Sequence, residues 1–212
     1  MIRLQTLIGL TKPYYNSPDP AHDWAHVGRV AATAKILCKD TKAQVELTLA
    51  AVYCHDLVNL PKNHPDRKSA STLSAQEATK SLNSSGYSSQ EQEIIKTAIV
   101  EHSFSQGLKP SIIEAAIVQD ADRLDALGAI GILRCAAVTT QMKSSFYDPF
   151  DPMALWRPLD DSRFMVDHYY VKLFKLPELM NTEKGRQMAL ERIGLMKNFL
   201  TSLVGELRGL EN

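Results

Sequence analysis

The segment that most restricts the fold is QVELTLAAVYCHDL, residues 44–57. It is apolar through most of its length, so a helix built from it has little solvent face and must lie at the centre of other helices. It nevertheless ends on His55 and Asp56, side by side, where a buried helix should avoid polar groups. An adjacent histidine and aspartate occur by chance in many chains. The pair gains meaning only if polar residues distant in sequence are carried on helices that pack around it.

The rest of the chain supplies such helices. HDWAHVGRVAATAKILCK, from His22, sets Val27, Val30, Ala31, Ala34, Leu37 and Cys38 at helical spacing. DRKSASTLSAQEATKSLNSSG is rich in alanine and serine, with Gly86 as its terminator. Ser88 with Glu91, and Ser111 with Glu114, have the spacing of capping boxes. The segment after Ser111, IIEAAIVQDADRLDALGAIGILRCAAVTT, is long, and Gly128 and Gly131 allow close packing or a break. Two further amphipathic stretches follow, SRFMVDHYYVKLFKL and RQMALERIGLMKNFLTSLVGEL. No run alternates as a strand does and no Asn-Gly hairpin occurs, so the expected fold is all-α. One irregular stretch, SSFYDPFDPMALWRPLDD, carries Pro149, Pro152 and Pro158 and resists a helix.

The chain has 212 residues, 44% of them apolar and 23% charged, which suits a single domain over 1–212. Lysine and arginine number 24 and so do aspartate and glutamate, so a general grip on DNA or RNA phosphates is not expected. The N-terminal MIRLQTLIGLTKPYYNSPDP lacks the features of a signal peptide, and no apolar run reaches membrane-spanning length. Cys38, Cys54 and Cys135 are odd in number and set in apolar helical contexts, as reduced buried cysteines are. These features suit a cytoplasmic protein.

The polar residues on apolar faces carry the chemistry. His26 sits at the edge of its helix's apolar stripe, one turn after His22, and His102 falls on the face of Ile95, Ala98 and Ile99. Asp122 lies in an apolar-rich helix with Asp125 one turn on. A core histidine accounts for any one of these positions, but not comfortably for the set. Imidazole and carboxylate together suit a first-row divalent ion such as Mn, Fe, Co, Ni or Zn. Two histidines and two aspartates on three helices hold such an ion and leave positions open for water and substrate.

His26, then adjacent His55 and Asp56, then Asp122 resemble the H…HD…D signature of the HD superfamily of metal-dependent phosphohydrolases. The similarity is closer to its YedJ/YpgQ branch, through HDWAHVGRV, CHDLVNLPKNHP, EHSFS, IVQDADRLDALGAIGILR, RPLDD and DHYYVKLFKLPELMNTEKGR. The resemblance implies an all-α HD fold, with the signature over 22–125 and C-terminal helices over 161–210 completing site and core. It implies one divalent ion on His26, His55, Asp56 and Asp122, with manganese favoured and iron, cobalt, nickel, zinc or magnesium open. Asp122 is chosen over Asp120 and Asp125 because the family uses the aspartate of ADRL. The implied substrate is a small phosphate ester or anhydride of a nucleotide, in this branch a nucleoside triphosphate cut between the α and β phosphates.

Around that centre, Arg29, Lys62, His168 and Lys172 are candidates to meet substrate phosphate, the last two standing one helical turn apart. His102 is a candidate to donate a proton to a leaving group or to bond a phosphate oxygen, and Asp125 to orient a ligand or the metal-bound water. His22 and Asp23 read equally well as residues of a helix start, and His64 as a substrate contact or a solvated side chain. Val58 and Asn59 follow Leu57 where some HD hydrolases carry an acidic pair. His64 and His102 lie where two-metal members add histidines, which leaves a second ion open. A dinuclear-iron oxygenase, a non-catalytic HD-like module and a homo-oligomeric state stay open as well.

Overall fold

The computed structural model describes residues 2–16, 22–39, 41–60, 64–103 and 106–208. Among them the chain forms nine α-helices: α1 (Ile2–Thr11), α2 (Trp24–Cys38), α3 (Val45–Cys54), α4 (Ala70–Ser84), α5 (Ser89–Glu101), α6 (Ile113–Asp125), α7 (Gly128–Gln141), α8 (Met165–Val171) and α9 (Glu183–Arg208). Short 3-10 turns lie at Lys12–Tyr15, Arg67–Ser69 and Leu173–Leu179. The described residues contain no strand beyond one isolated bridge between Ser145 and Phe164. The all-α expectation is met. The chain divides into two compact units, Met1–Asp122 and Arg123–Asn212.

In the first unit, α3 is central for the reason its composition gives. Leu47, Thr48, Leu49, Ala50, Ala51, Val52 and Cys54 are all buried, so every face of the helix meets protein. α1, α2, α4 and α5 pack on it. The buried positions of α2 are those the spacing picks out, Val27, Val30, Ala31, Ala34, Leu37 and Cys38, with His26 among them. α4 ends in a Schellman turn. Gly86 has φ +80°, its N–H donates to Asn83 O at 3.0 Å, and Tyr87 N–H reaches Leu82 O at 3.2 Å. Ser88 and Glu91 form the expected capping box on α5. The Glu91 carboxylate also takes the Arg3 guanidinium at 2.9 and 3.0 Å.

The second capping box takes another form. α6 begins at Ile113, two residues after Ser111. Ser111 N–H and Oγ donate to the Glu101 carboxylate at 2.8 and 2.7 Å, and Glu114 Oε1 accepts from Gln44 N–H at 2.8 Å, capping α3. A bond to another helix's exposed N–H has replaced the local one.

In the second unit, Gly128 with φ +74° breaks the long 112–140 segment, and Gly131 provides close packing. A Cβ on Gly131 would lie 2.3 Å from Ala126 O. The stretch read as one amphipathic helix around SRFMVDHYYVKLFKL is a seven-residue α8 followed by a 3-10 turn, because the Lys172 backbone leaves helical geometry and Pro177 lacks the N–H that a continuing helix requires. On α9 the buried residues Ala189, Ile193, Met196 and Leu200 recur every three or four positions, and α9 packs on α7.

The proline-bearing stretch 144–161 is irregular and bonded throughout. Asp151 accepts N–H bonds from Leu155, Trp156 and Arg157 at 2.8, 2.9 and 3.1 Å. Arg157 grips the wholly buried Asp167 of α8 through two nitrogens, at 2.6 and 2.8 Å, and Asp160 N–H joins at 2.6 Å. Its guanidinium also lies 4.4 Å from the Phe164 ring centre. Phe150 and Trp156 point outward.

Candidate metal centre

Helix ends build the site. Asp23, the N-cap of α2, accepts from His26 N–H at 2.8 Å, which fixes the first turn and leaves the His26 ring wholly buried. His55 is the C-cap of α3 and His102 the C-cap of α5. Each turns its imidazole back over its own helix, with Nδ1 2.6 Å from the carbonyl three residues earlier, Val52 for His55 and Ile99 for His102. A carbonyl only accepts, so Nδ1 carries the proton in both rings. In the neutral ring Nε2 is then a bare lone pair.

Those lone pairs face ligand-type atoms. His55 Nε2 stands 3.3 Å from His26 Nε2 and 3.6 Å from Asp56 Oδ2. His26 Nε2 stands 3.5 Å from Asp122 Oδ1. His102 Nε2 lies 3.8 Å from the other Asp56 oxygen, and its ring meets His55 edge-on at 5.0 Å. His26, His55 and Asp56 each offer a ligand atom within 4.8 Å of the others. Atoms bound about 2.1 Å from a common ion stand roughly 3.0–3.5 Å from one another. The spacing fits ligands around a cation better than hydrogen-bonded partners, and two helix C-termini, His55's and His102's, add partial negative charge.

The electrostatics agree. Burial opposes ionisation of Asp56, but His55, His102, His22 and His26 outweigh it and hold its carboxyl below the ordinary value. At Asp122 burial is likewise outweighed, by His26, His55 and His102, against the repulsion of Asp56. Burial, with His55, pushes His102 below the ordinary imidazole value, although Asp56, Asp122 and its bond to Ile99 oppose this. Both carboxylates are therefore charged and His102 neutral near pH 7. Their side chains remain 22% and 27% exposed, Asp56 and Asp122 respectively, so the cluster has an open side for water and substrate.

The structure thus brings His26, His55, Asp56, Asp122 and His102 together. Arg29 is half-buried on α2, three residues beyond His26. Lys62 lies outside the described residues. In the second unit, Asp125 binds Arg134 at 2.9 Å, His168 Nδ1 pairs with Asp161 at 2.9 Å, and Lys172 closes α8. His22 packs edge-on to His26, their ring centres 6.1 Å apart. His64 Nδ1 accepts from Asp66 N–H at 3.1 Å. Cys54, beside the dyad, is wholly buried and its thiol pushed far above the ordinary value by burial, which rules out a thiolate nucleophile there. Sequence reading missed the carbonyls of Val52 and Ile99 that orient two imidazoles. The available signal was a histidine directly after the last residue of a helix, where a carbonyl lacks its intrahelical donor.

The HD domain family model matches residues 23–127, a span that holds all five clustered residues. The chain is 31% identical over 194 residues to YpgQ of Bacillus subtilis (strain 168), described as an uncharacterized protein, covering 90% of this chain and 86% of that one. The crystal structure of Bacillus subtilis YpgQ in complex with ADP is similar at 28% identity and a TM-score of 0.74, over 96% of this chain and 97% of that one. A crystal structure of an HD-superfamily hydrolase from Bacillus thuringiensis is similar at 28% identity and a TM-score of 0.73, over 97% and 96%.

Proposed function

Because the chain belongs to the HD-domain family, we propose that it is a metal-dependent phosphohydrolase cleaving a phosphate ester or anhydride of a nucleotide. The observation that carries this reading is the approach of His26 Nε2 and His55 Nε2 to 3.3 Å beside two charged carboxylates. His26, His55, Asp56 and Asp122 would hold one divalent ion, manganese being favoured. An ion held by these residues would supply the chemistry of water activation near neutral pH and of charge neutralisation at a phosphoryl oxygen.

The chain's own groups do the rest. Val52 O keeps His55 in the tautomer that presents Nε2. Asp23 fixes the turn bearing His26. His102, neutral and holding its proton on Nδ1, presents Nε2 as an acceptor. That state suits taking a proton from the attacking water better than giving one to a leaving group. Arg29, Lys62, His168 and Lys172 are proposed to offset phosphate charge, with the whole chain, 1–212, acting as one functional domain. The ADP in the YpgQ crystal structure supports a nucleotide substrate. HD-superfamily hydrolase, the description of the Bacillus thuringiensis structure, supports the reaction class.

The test is to purify the protein without chelators, quantify its metals and screen nucleotides and phosphoesters with Mn, Mg, Co, Ni and Zn in turn. Metal-dependent release of phosphate or pyrophosphate from a nucleotide is expected. A metal-loaded protein that hydrolyses none of them overturns the proposal.

A further inference from the structure

We infer that Arg134 and Arg192 are positioning residues for Asp122, acting through the last turn of α6. This rests on Asp122 being a metal ligand, as proposed above. The sequence QDADRLD closes α6 with Asp120, Asp122 and Asp125. A helix C-terminus carries partial negative charge and leaves its last carbonyls without intrahelical donors, so carboxylates there oppose the helix and favour fraying. Asp122 lies within that last turn. The backbone closes that turn with Ala126 N–H on Arg123 O at 3.1 Å and Leu127 N–H on Leu124 O at 3.0 Å, and side chains that reinforce it keep the ligand in place.

Two arginines are built to do so. Arg134, on α7, donates from Nη1 to Asp125 Oδ2 at 2.9 Å, and Asp125 is buried. Arg192, on α9, donates from Nη1 to the carbonyl of Leu124. Arg192 is half-buried, which lowers its pKa, and the neighbouring Asp125 opposes that. The chain leaving α6 is shaped around it. A Cβ on Gly128 would lie 3.2 Å from Arg192 Cγ and 3.3 Å from its Cβ, which the left-handed glycine avoids. One guanidinium neutralises the terminal carboxylate, and the other adds a side-chain donor to a carbonyl that already accepts from Leu127 N–H at 3.0 Å. The two residues they hold, Leu124 and Asp125, directly follow the pair that begins with Asp122.

The test titrates manganese(II) alone into metal-stripped full-length protein by calorimetry and records the electron paramagnetic resonance spectrum of the bound ion. Arg134→Gln and Arg192→Met are expected to bind manganese roughly tenfold more weakly, with a changed spectrum. Arg134→Lys, which keeps a charge opposite Asp125, recovers most of the affinity. Arg157→Gln, which breaks another arginine–aspartate pair of the same unit, lowers Tm but leaves manganese affinity unchanged. Should Arg134→Gln fail to fold, Arg192→Met decides alone, since it keeps the Arg134–Asp125 pair. Wild-type affinity in Arg192→Met and in any folded Arg134→Gln overturns the inference and leaves the metal reading standing. An equal loss in Arg157→Gln also overturns it, by showing general loosening. A wild-type protein that binds no manganese removes the metal reading and this inference together.

Discussion

Two clusters of carboxylates in this molecule use similar residue types and reach opposite states. In the second unit, Asp151 and Asp167 are met by N–H donors at 2.6–3.1 Å: three backbone amides on Asp151, and a guanidinium fork with one amide on Asp167. Every strong acceptor there faces a donor. In the first unit, Asp56 and Asp122 meet histidine nitrogens at 3.5–3.8 Å, and two of the nitrogens meet each other at 3.3 Å. The proton on His55 and on His102 points away, at a backbone carbonyl. Ligand-type atoms stand near one another there, and His26, His55 and Asp56 could hold an ion. A count of acidic residues would not tell these clusters apart; the direction of the donors does.

The largest way to break the contrast is to remove the dyad. His55→Ala and Asp56→Ala are each expected to lose bound metal and to lose turnover beyond the roughly 10–100-fold typical of outer contacts, while far-UV circular dichroism keeps its helical shape. Full metal occupancy with normal turnover in either variant would dissolve the distinction. Next, Arg157→Gln is expected to cost about 3 kcal/mol in urea unfolding, near the lower end for a broken buried pair because Arg157 keeps some exposure. Its metal content should match wild type. A variant as stable as wild type would show that the second cluster is not a structural lock.

A smaller effect sharpens the contrast at its edge. His168→Ala and Lys172→Ala are expected to lower kcat/KM by roughly tenfold or more, on the scale of one hydrogen bond to a charged group, with metal retained. Loss of metal from His168→Ala would make it a ligand instead, and unchanged kinetics in both would remove their proposed role. The smallest effect is a pH response. Burial opposes ionisation of Asp151, but the N–H groups of Trp156, Leu155 and Arg157 outweigh it and lower its carboxyl. A lowered carboxyl stabilises the fold above its unfolded value, about 3.9, and that contribution is lost as pH falls through the folded value. Trp156 fluorescence is therefore expected to stay constant at neutral pH and to change only below about pH 4. A change centred near pH 6 would assign the loop to a different titrating group.

Much of the fold could be read from the chain because helical spacing and burial report the same thing. The continuous apolar run of α3 and the stripe of α2 fold where their periodicity puts them. Ser88 with Glu91 forms its cap because both partners are local. Ser111 with Glu114 has the same spacing and does not, because Glu101 and Gln44 compete from a distance that spacing cannot see. The site divides in the same way. His26, His55, Asp56, His102 and Asp122 stood out as polar residues on apolar faces, and they come together. The bond of Asp125 to Arg134 and the anchoring of Arg157 to Asp167 were not legible, since each partner alone reads as an ordinary charge. Sequence marks a residue that is out of place, but not the partner that explains its place.

The buried thiol beside the dyad has a further use. Cys54 is wholly enclosed at the end of α3, and Cys135 is half-buried on α7 in the other unit. Neither is in a disulfide. An alkylating reagent meets Cys54 only when the core around α3 opens, so its labelling half-life under native conditions times that opening. Cys135 labels on its own schedule and provides an internal reference from the second unit. As proposed, His55 and Asp56 would hold an ion that would have to leave or loosen before that core opens, so manganese is expected to slow the Cys54 clock and leave the Cys135 clock nearly unchanged.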